Sequence, residues 1–276
     1  QDAWKQARLV WEQSESFLFG PVATESIDPR IDTWPVNFTD LEAQLSSENE
    51  FTSDYINDLE DALKGFHPVE YLLFGEEGNK TAADFTEREF EYLKGLSLNL
   101  EELTAQVAEG WDETNSEAYY HEFKAAGSGS TVYESQQDAL LELVNAMAGI
   151  CDEVANGKIT EPFLMQDNSL EESPFSQNSI TDFTFNIKGV QNVYLGKFSA
   201  DGKGLEDLVR AHNLQLDNNI KLKIDNAVAA LESIDVSFGK AIFDKPIQVQ
   251  NAIDAINELK AILEDDLVPF VQQHSK

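Results

Sequence analysis

Apolar residues recur at intervals of three and four over several long stretches, and this spacing fixes the fold class. Such a period places the apolar side chains on one face of a helix, and helices of this kind pack their apolar faces together. The sequence therefore predicts an all-α fold of two helical-bundle domains packed side by side, residues 1–160 and 161–276. The clearest helical periods cover 81–109, 132–156, 216–238 and 247–268.

The first sixty residues carry a different pattern. A helix is expected over 2–19, with Trp4, Arg8, Trp11, Glu15 and Leu18 on one face. Buried charges need partners, so Arg8 could pair with an acid of the same helix; alternatively, the long polar side chains lie at the margin of the core. The following segment, 21–47, has prolines at 21, 29 and 35 and predicts a long ordered loop, and 52–64 predicts another helix.

The charge of the chain restricts its partners. There are 51 acidic and 19 basic residues, a formal net charge of −32. Such a surface repels nucleic acid and anionic lipid and attracts cations. No apolar run reaches the length of about 18 residues that a membrane span requires. One cysteine, Cys151, excludes an internal disulfide, and the start at Gln1 rather than methionine predicts a processed chain.

The stretch 65–75 (GFHPVEYLLFG) is the strongest candidate for a functional site. His67 and Glu70 lie three residues apart, so that on a helix their side chains are neighbours. Two conformations compete. In one, a new helix begins with His67 as its N-cap, Pro68 at the first position and Glu70 in a capping box. In the other, one long helix continues through a kink at Pro68, which frees the carbonyl of Lys64.

Several motifs together resemble those of the imelysin-like family. The G-x-H-x-x-E and Y-L-L-F-G elements of 65–75 carry the resemblance, with the D-x-W-P segment at Asp32 and Trp34. Further matches are E-S-x-F-S at 172–176, D-F at 182–183 and N-V-Y-L-G at 192–196. The resemblance implies a helical bacterial protein of the periplasm or cell surface, such as a lipoprotein anchored upstream of Gln1. It also implies a role in iron uptake with other uptake components, in a family classed as metallopeptidases.

The expected chemistry is metal binding rather than catalysis. A zinc protease usually has three protein ligands, as in H-x-x-E-H, but Tyr71 stands where the second histidine would be, so no catalytic residue is assigned. Imidazole with carboxylate suits iron or zinc, and the expected ligands are His67, Glu70 and Glu15. The site is expected where the domains meet, surrounded by Arg8, Asp32, Trp34, Ser173, Asp182 and Asn186. The alternatives are a metallopeptidase and a metal-free adaptor in which His67, Glu70 and Arg8 form a buried polar network.

Overall fold

The computed structural model describes residues 1–275, and no β-strand occurs in this range. This confirms the all-α prediction. Turns of 3₁₀-helix cover Glu15–Phe17, Asp61–Leu63, Ala82–Asp84 and Asn168–Leu170, and π-helix covers Glu153–Ile159 and Leu263–Leu267. The α-helices are α1 Asp2–Ser14, α2 Pro21–Thr24, α3 Asp28–Asp32, α4 Phe38–Leu45, α5 Ser53–Asn57, α6 Phe66–Phe74, α7 Glu87–Gly110, α8 Tyr119–Lys124, α9 Gln136–Asp152, α10 Thr160–Met165, α11 Ser179–Leu195, α12 Leu205–His212, α13 Leu214–Glu232, α14 Phe238–Asp244, α15 Pro246–Ile262 and α16 Val268–His274.

The chain forms two compact units, each built from more than one segment. The first unit comprises Gln1–Arg8, Phe19–Tyr120 and Ser173–Ser176. The second unit comprises Leu9–Leu18, His121–Glu172 and Gln177–Lys276. The division into independently folding domains at residue 160 stays a prediction. Within residues 1–275, no helix has the length and apolar character that crossing a membrane requires.

The first unit packs short helices against the long helix α7. The core of this unit contains fully buried Ile27, Ile31, Leu72 and Leu96. Helix α7 begins at Glu87 rather than at the predicted Thr81, because Thr86 and Glu89 form a capping box that starts the helix there. The packing of this core positions helix α6, which carries His67 and Glu70.

Two predictions for the first unit are wrong in detail. The segment 21–47 is not one loop, because it contains the short helices α2, α3 and α4. The helix expected over 52–64 is instead α5 followed by the 3₁₀ turn Asp61–Leu63. All of these elements are too short to show a helical period in the sequence, and their ends depend on caps such as Thr52, whose side chain accepts a hydrogen bond from the Tyr55 N–H.

The second unit is a bundle of α9, α11, α13 and α15, with α13 packed against α15 and α9 against α15. Its core includes Val144, Ile187, Ile224 and Ile256, as the helical periods predict. Helix α9 continues through π-helix into α10, which ends at Met165, so the chain is helical across residue 160. Cys151 is buried in this core, where burial raises the pKa of its thiol and keeps it protonated.

Candidate functional site

Gly65 determines where the histidine helix lies. Its φ is +81°, and α6 begins immediately after it, at Phe66. A Cβ on Gly65 would lie 2.0 Å from the carbonyl oxygen of Ile31, so only glycine allows the two segments to approach this closely. Since Ile31 is in α3, this approach brings the last residue of that helix, Asp32, to His67. The glycine of the G-x-H-x-x-E motif therefore acts by positioning Asp32.

Neither conformation predicted for the stretch 65–75 is correct. A new helix does begin here, but it begins before His67, so that His67 and Pro68 both lie in the first turn. Proline is tolerated at this position because the first four N–H groups of a helix have no partner within it. Glu70 lies further along the helix and does not close a capping box. The carboxylate of Glu70 is thereby available to groups outside its own helix.

The imidazole of His67 lies between two carboxylates. Its Nε2 is 3.1 Å from Asp32 Oδ1, and its Nδ1 is 3.9 Å from Glu70 Oε2. The side chains of His67 and Glu70 are fully buried, and that of Asp32 is 4% exposed. Burial lowers the pKa of His67 and the charge of Arg8 lowers it further, but the contacts with Asp32 and Glu70 outweigh both and raise the pKa to about 9. At neutral pH the ring is therefore an imidazolium.

Arg8 is the second cation of this site. It is completely buried, and its Nη1 pairs with Oδ1 of Asp32, the same oxygen that faces His67. Its guanidinium also lies 5.2 Å from the centre of the Phe66 ring, a distance typical of a cation–π contact. Two positive groups, Arg8 and His67, thus balance two negative ones, Asp32 and Glu70. A buried set of charges requires this balance.

Ser176 anchors Glu70. The backbone N–H and the hydroxyl of Ser176 donate to Glu70 Oε1 at 2.8 Å and 2.6 Å, while the other carboxylate oxygen faces His67. The carbonyl of Ser176 accepts in turn from Lys5 Nζ at 3.1 Å. Sequence reasoning did not select Ser176, although it is the last residue of the E-S-x-F-S motif. Ser173, which was selected, is buried in the same short segment.

Trp34 covers the histidine. Its ring centre lies 5.0 Å from that of His67 and 6.2 Å from that of Phe175. Phe175 also packs against Phe38 and Tyr71, so the E-S-x-F-S segment joins an aromatic cluster beside the site. These rings restrict the access of water to the imidazole. The structure thus brings Arg8, Asp32 and Trp34 together around His67 and Glu70, as the sequence suggests.

The other predicted residues, Glu15, Asp182 and Asn186, belong to the second unit. Asn186 Nδ2 donates to the carboxylates of Glu12 and Glu15, and Lys158 Nζ lies 3.3 Å from Glu15 Oε2. Asp182 accepts from Asn178 Nδ2 at 2.6 Å. That these residues share one site with His67 stays a prediction.

Lys158 balances the charge of the buried carboxylates around Glu15. The sequence did not predict this residue as part of a site. Its Nζ also lies 3.3 Å from Glu172 Oε1. Burial lowers the pKa of Lys158, but the carboxylates of Glu15, Glu172 and Glu12 outweigh it and raise the pKa well above the usual value. Lys158 lies in the π-helix Glu153–Ile159, a conformation with no clear signal in the sequence.

An all-helical chain whose buried histidine and glutamate come from a single G-x-H-x-x-E helix has the architecture of an imelysin-like protein. The sequence profile of the imelysin family (Peptidase_M75) matches residues 1–264, and the chain belongs to this family. This confirms the resemblance that the motifs indicate.

Relatives agree with this assignment, and two of those described here cover almost the whole chain. Iron-regulated protein A of Synechococcus elongatus is 29% identical over 279 aligned residues, which cover 99% of this chain and 74% of the relative. A crystal structure described as an iron-regulated protein A precursor of Parabacteroides distasonis is 26% identical, with a TM-score of 0.85 over 100% of this chain and 82% of that one. An imelysin peptidase of Bacteroides ovatus is 28% identical, with a TM-score of 0.53 over 60% of this chain and 49% of that one.

Proposed function

We propose that this protein is a metal-binding component of iron uptake, with a site centred on His67 and Asp32. One observation carries the proposal: a buried imidazole nitrogen and a buried carboxylate oxygen lie 3.1 Å apart. In a tetrahedral site with metal–ligand distances of about 2.0–2.1 Å, neighbouring donor atoms are about 3.3 Å apart. His67 Nε2 and Asp32 Oδ1 therefore fit two ligands of one ion. Nitrogen with oxygen suits iron or zinc.

Glu70 and Arg8 support these two ligands in the proposed site. Glu70 faces Nδ1, the ring nitrogen that does not face Asp32, and a carboxylate in this position typically orients a histidine ligand. Ser176 fixes this carboxylate by two hydrogen bonds. In this arrangement Glu70 orients the ligand His67, in place of the direct ligand role that the sequence suggests. Arg8 holds Asp32 in position. Because its own positive charge lies beside the site, it also limits the charge of the metal ion that can bind there.

The site favours binding over hydrolysis. A catalytic zinc site normally has three protein ligands and an open position for water. Helix α6 supplies one imidazole, and the aromatic rings of Trp34 and Phe175 restrict the approach of a peptide. Similarity to an imelysin peptidase makes hydrolysis the alternative to be tested. Cleavage of a protein substrate that is lost on chelation and in Glu70→Ala would establish it.

A location outside the cytoplasm is part of the proposal. A related structure is described as a precursor, which supports export of this chain to the periplasm or cell surface. Attachment by a lipid upstream of Gln1 and contact with other uptake components follow from the family resemblance. Labelling of intact and lysed cells with an impermeant reagent tests the location. A chain that is labelled only after lysis of the inner membrane contradicts it.

The decisive measurement is anaerobic titration of the metal-free protein with Fe²⁺ and with Zn²⁺. Wild type is expected to bind at a site that is lost in His67→Ala and in Asp32→Asn, with helix content unchanged by circular dichroism. His121→Ala is the matched control, because it removes an imidazole from the second unit, and it should bind as wild type does. If His67→Ala binds as many Fe²⁺ or Zn²⁺ ions as wild type, with the same affinities, the proposed site is wrong. Equal binding together with a large loss of stability would favour the adaptor alternative.

A further inference from the structure

Two imidazoles lie close together in the second unit, and neither belongs to the proposed iron site. His212 is the last residue of α12, and His274 is the last residue of α16. Their ring centres are 4.9 Å apart, with the ring planes inclined by 54°. His212 is exposed and His274 is half-buried, so that solvent reaches the pair. Histidines 62 positions apart in the sequence thus meet at the ends of two helices.

Hydrogen bonds fix the tautomer of both rings. His212 Nδ1 lies 3.0 Å from the carbonyl oxygen of Leu208, and His274 Nδ1 lies 2.9 Å from that of Phe270. A carbonyl oxygen only accepts, so each Nδ1 carries a proton and donates it. In the neutral ring, the lone pair is then on Nε2. A histidine that ligates a metal typically donates its other N–H in this way.

The rings are also held in place. His274 stacks on Phe270, with centres 4.2 Å apart and planes inclined by 17°, and Phe270 is itself buried in the core of the second unit. His212 approaches the same Phe270 ring at 6.3 Å. The imidazoles therefore lose little further freedom when they bind a ligand, which lowers the entropic cost of binding.

We propose that His212 and His274 form a bidentate site for a divalent transition metal ion through their Nε2 atoms. With metal–nitrogen distances of about 2.0–2.1 Å and ligand angles of about 90–110°, two imidazoles on one ion have ring centres about 4.5–5.2 Å apart. The observed separation of 4.9 Å lies in this range. Both rings stand at helix C-termini, where the partial negative charge of the terminal carbonyls favours a cation. Water completes the coordination, so that the ion exchanges readily.

Copper(II), nickel(II) and zinc(II) are the ions that fit. Imidazole is a good ligand for all three, and for an identical site copper(II) binds most tightly among the divalent ions of this series. The exposed position of His212 and a ligand set without thiolate favour capture of a loosely held ion over a permanent structural metal. A bound ion would also connect the end of α16 to α12.

The test is titration of the full chain with Ni²⁺ by calorimetry, in the background His67→Ala so that the two sites are measured separately. Because a second ligand on the same protein acts at high effective concentration, losing either histidine should weaken binding at least tenfold. His212→Ala and His274→Ala should weaken binding alike, since each leaves one imidazole, and the double variant should lose binding at this position altogether. His121→Ala is the control and should bind unchanged.

Two results would overturn the proposal. One is affinity in His212→Ala equal to that of the background chain. The other is a fall in the number of Ni²⁺ ions bound with no change of affinity in either single variant, as expected for two independent histidines. Thermal melts of the metal-free variants show whether they fold; replacing either histidine by glutamine gives a second set of variants with side chains of similar size. Neither result bears on the proposed iron site at His67, because that site is removed in this background.

Discussion

Replacing Gly65 by alanine is expected to destabilise the protein by about 2–5 kcal/mol. A residue with a Cβ at φ +81° pays about 1–2 kcal/mol in the left-handed region. The new Cβ would also lie 2.0 Å from the carbonyl oxygen of Ile31, a backbone atom that cannot rotate away. Shifts that relieve such overpacking typically cost about 1–3 kcal/mol. The two contributions act on the same residue and together give the range stated.

Urea unfolding at neutral pH, followed by circular dichroism, measures this loss against a matched control. Gly149 lies on the exposed side of α9, and a Cβ there meets no heavy atom within 4 Å. Gly149→Ala should therefore stabilise the protein, by about 0.5–1 kcal/mol, through helix propensity alone. The change in the free energy of unfolding caused by replacing glycine with alanine thus has opposite signs at these two positions. A Gly65→Ala variant that unfolds within about 0.5 kcal/mol of wild type would refute the proposed role of the glycine.

Further predictions concern the buried charges. A folded pKa of about 9 for His67, against 6.5 unfolded, corresponds to about 3 kcal/mol of stability. This stability is fully present below about pH 6.5 and is lost as the pH rises through 9, so urea unfolding across this range should show a decline relative to His67→Gln. Ser176→Ala removes one of two donors to the Glu70 carboxylate and should cost about 1.5–3 kcal/mol in the same assay. Lys158→Met leaves the buried carboxylate of Glu15 without its cation; it should cost about 3–5 kcal/mol at neutral pH, and melting curves should show partial recovery in mild acid.

The long helices and the motif residues follow from the sequence for a physical reason. Helices such as α9, α13 and α15 bury one face along several turns, so that apolar residues recur in their sequences every three or four positions. Arg8 stands out in the sequence as a charge on an apolar helix face, and Trp34 matches the D-x-W-P segment of the imelysin-like family. Both lie beside the site in the structure. The family then follows from the motifs, because each motif has a local packing role.

The partners of the site residues could not be predicted, because they come from distant segments. Ser176 contacts Glu70 from 106 positions away in the sequence, and Asp32 contacts His67 from 35 positions away. The second contact depends on Gly65, because only a residue without a side chain lets the two segments approach this closely. A carboxylate three residues after a histidine can accept a hydrogen bond from its own helix. The sequence is therefore compatible both with Glu70 in a capping box and with Glu70 as a metal ligand. Local spacing cannot distinguish a group that binds its own helix from one that binds a segment elsewhere.

The charge balance around His67 has a consequence for metal removal. In zinc fingers the free energy of metal binding supplies the free energy of folding, so that chelation unfolds the protein. Here Arg8 and the imidazolium of His67 already compensate Asp32 and Glu70, and the first unit keeps its own apolar core around them. A divalent ion bound at His67 would replace the ring proton, so its removal followed by reprotonation takes away one positive charge beside Asp32 rather than two. Chelator treatment should therefore leave helix content unchanged in circular dichroism, whereas loss of helix on chelation would show that the ion is structural.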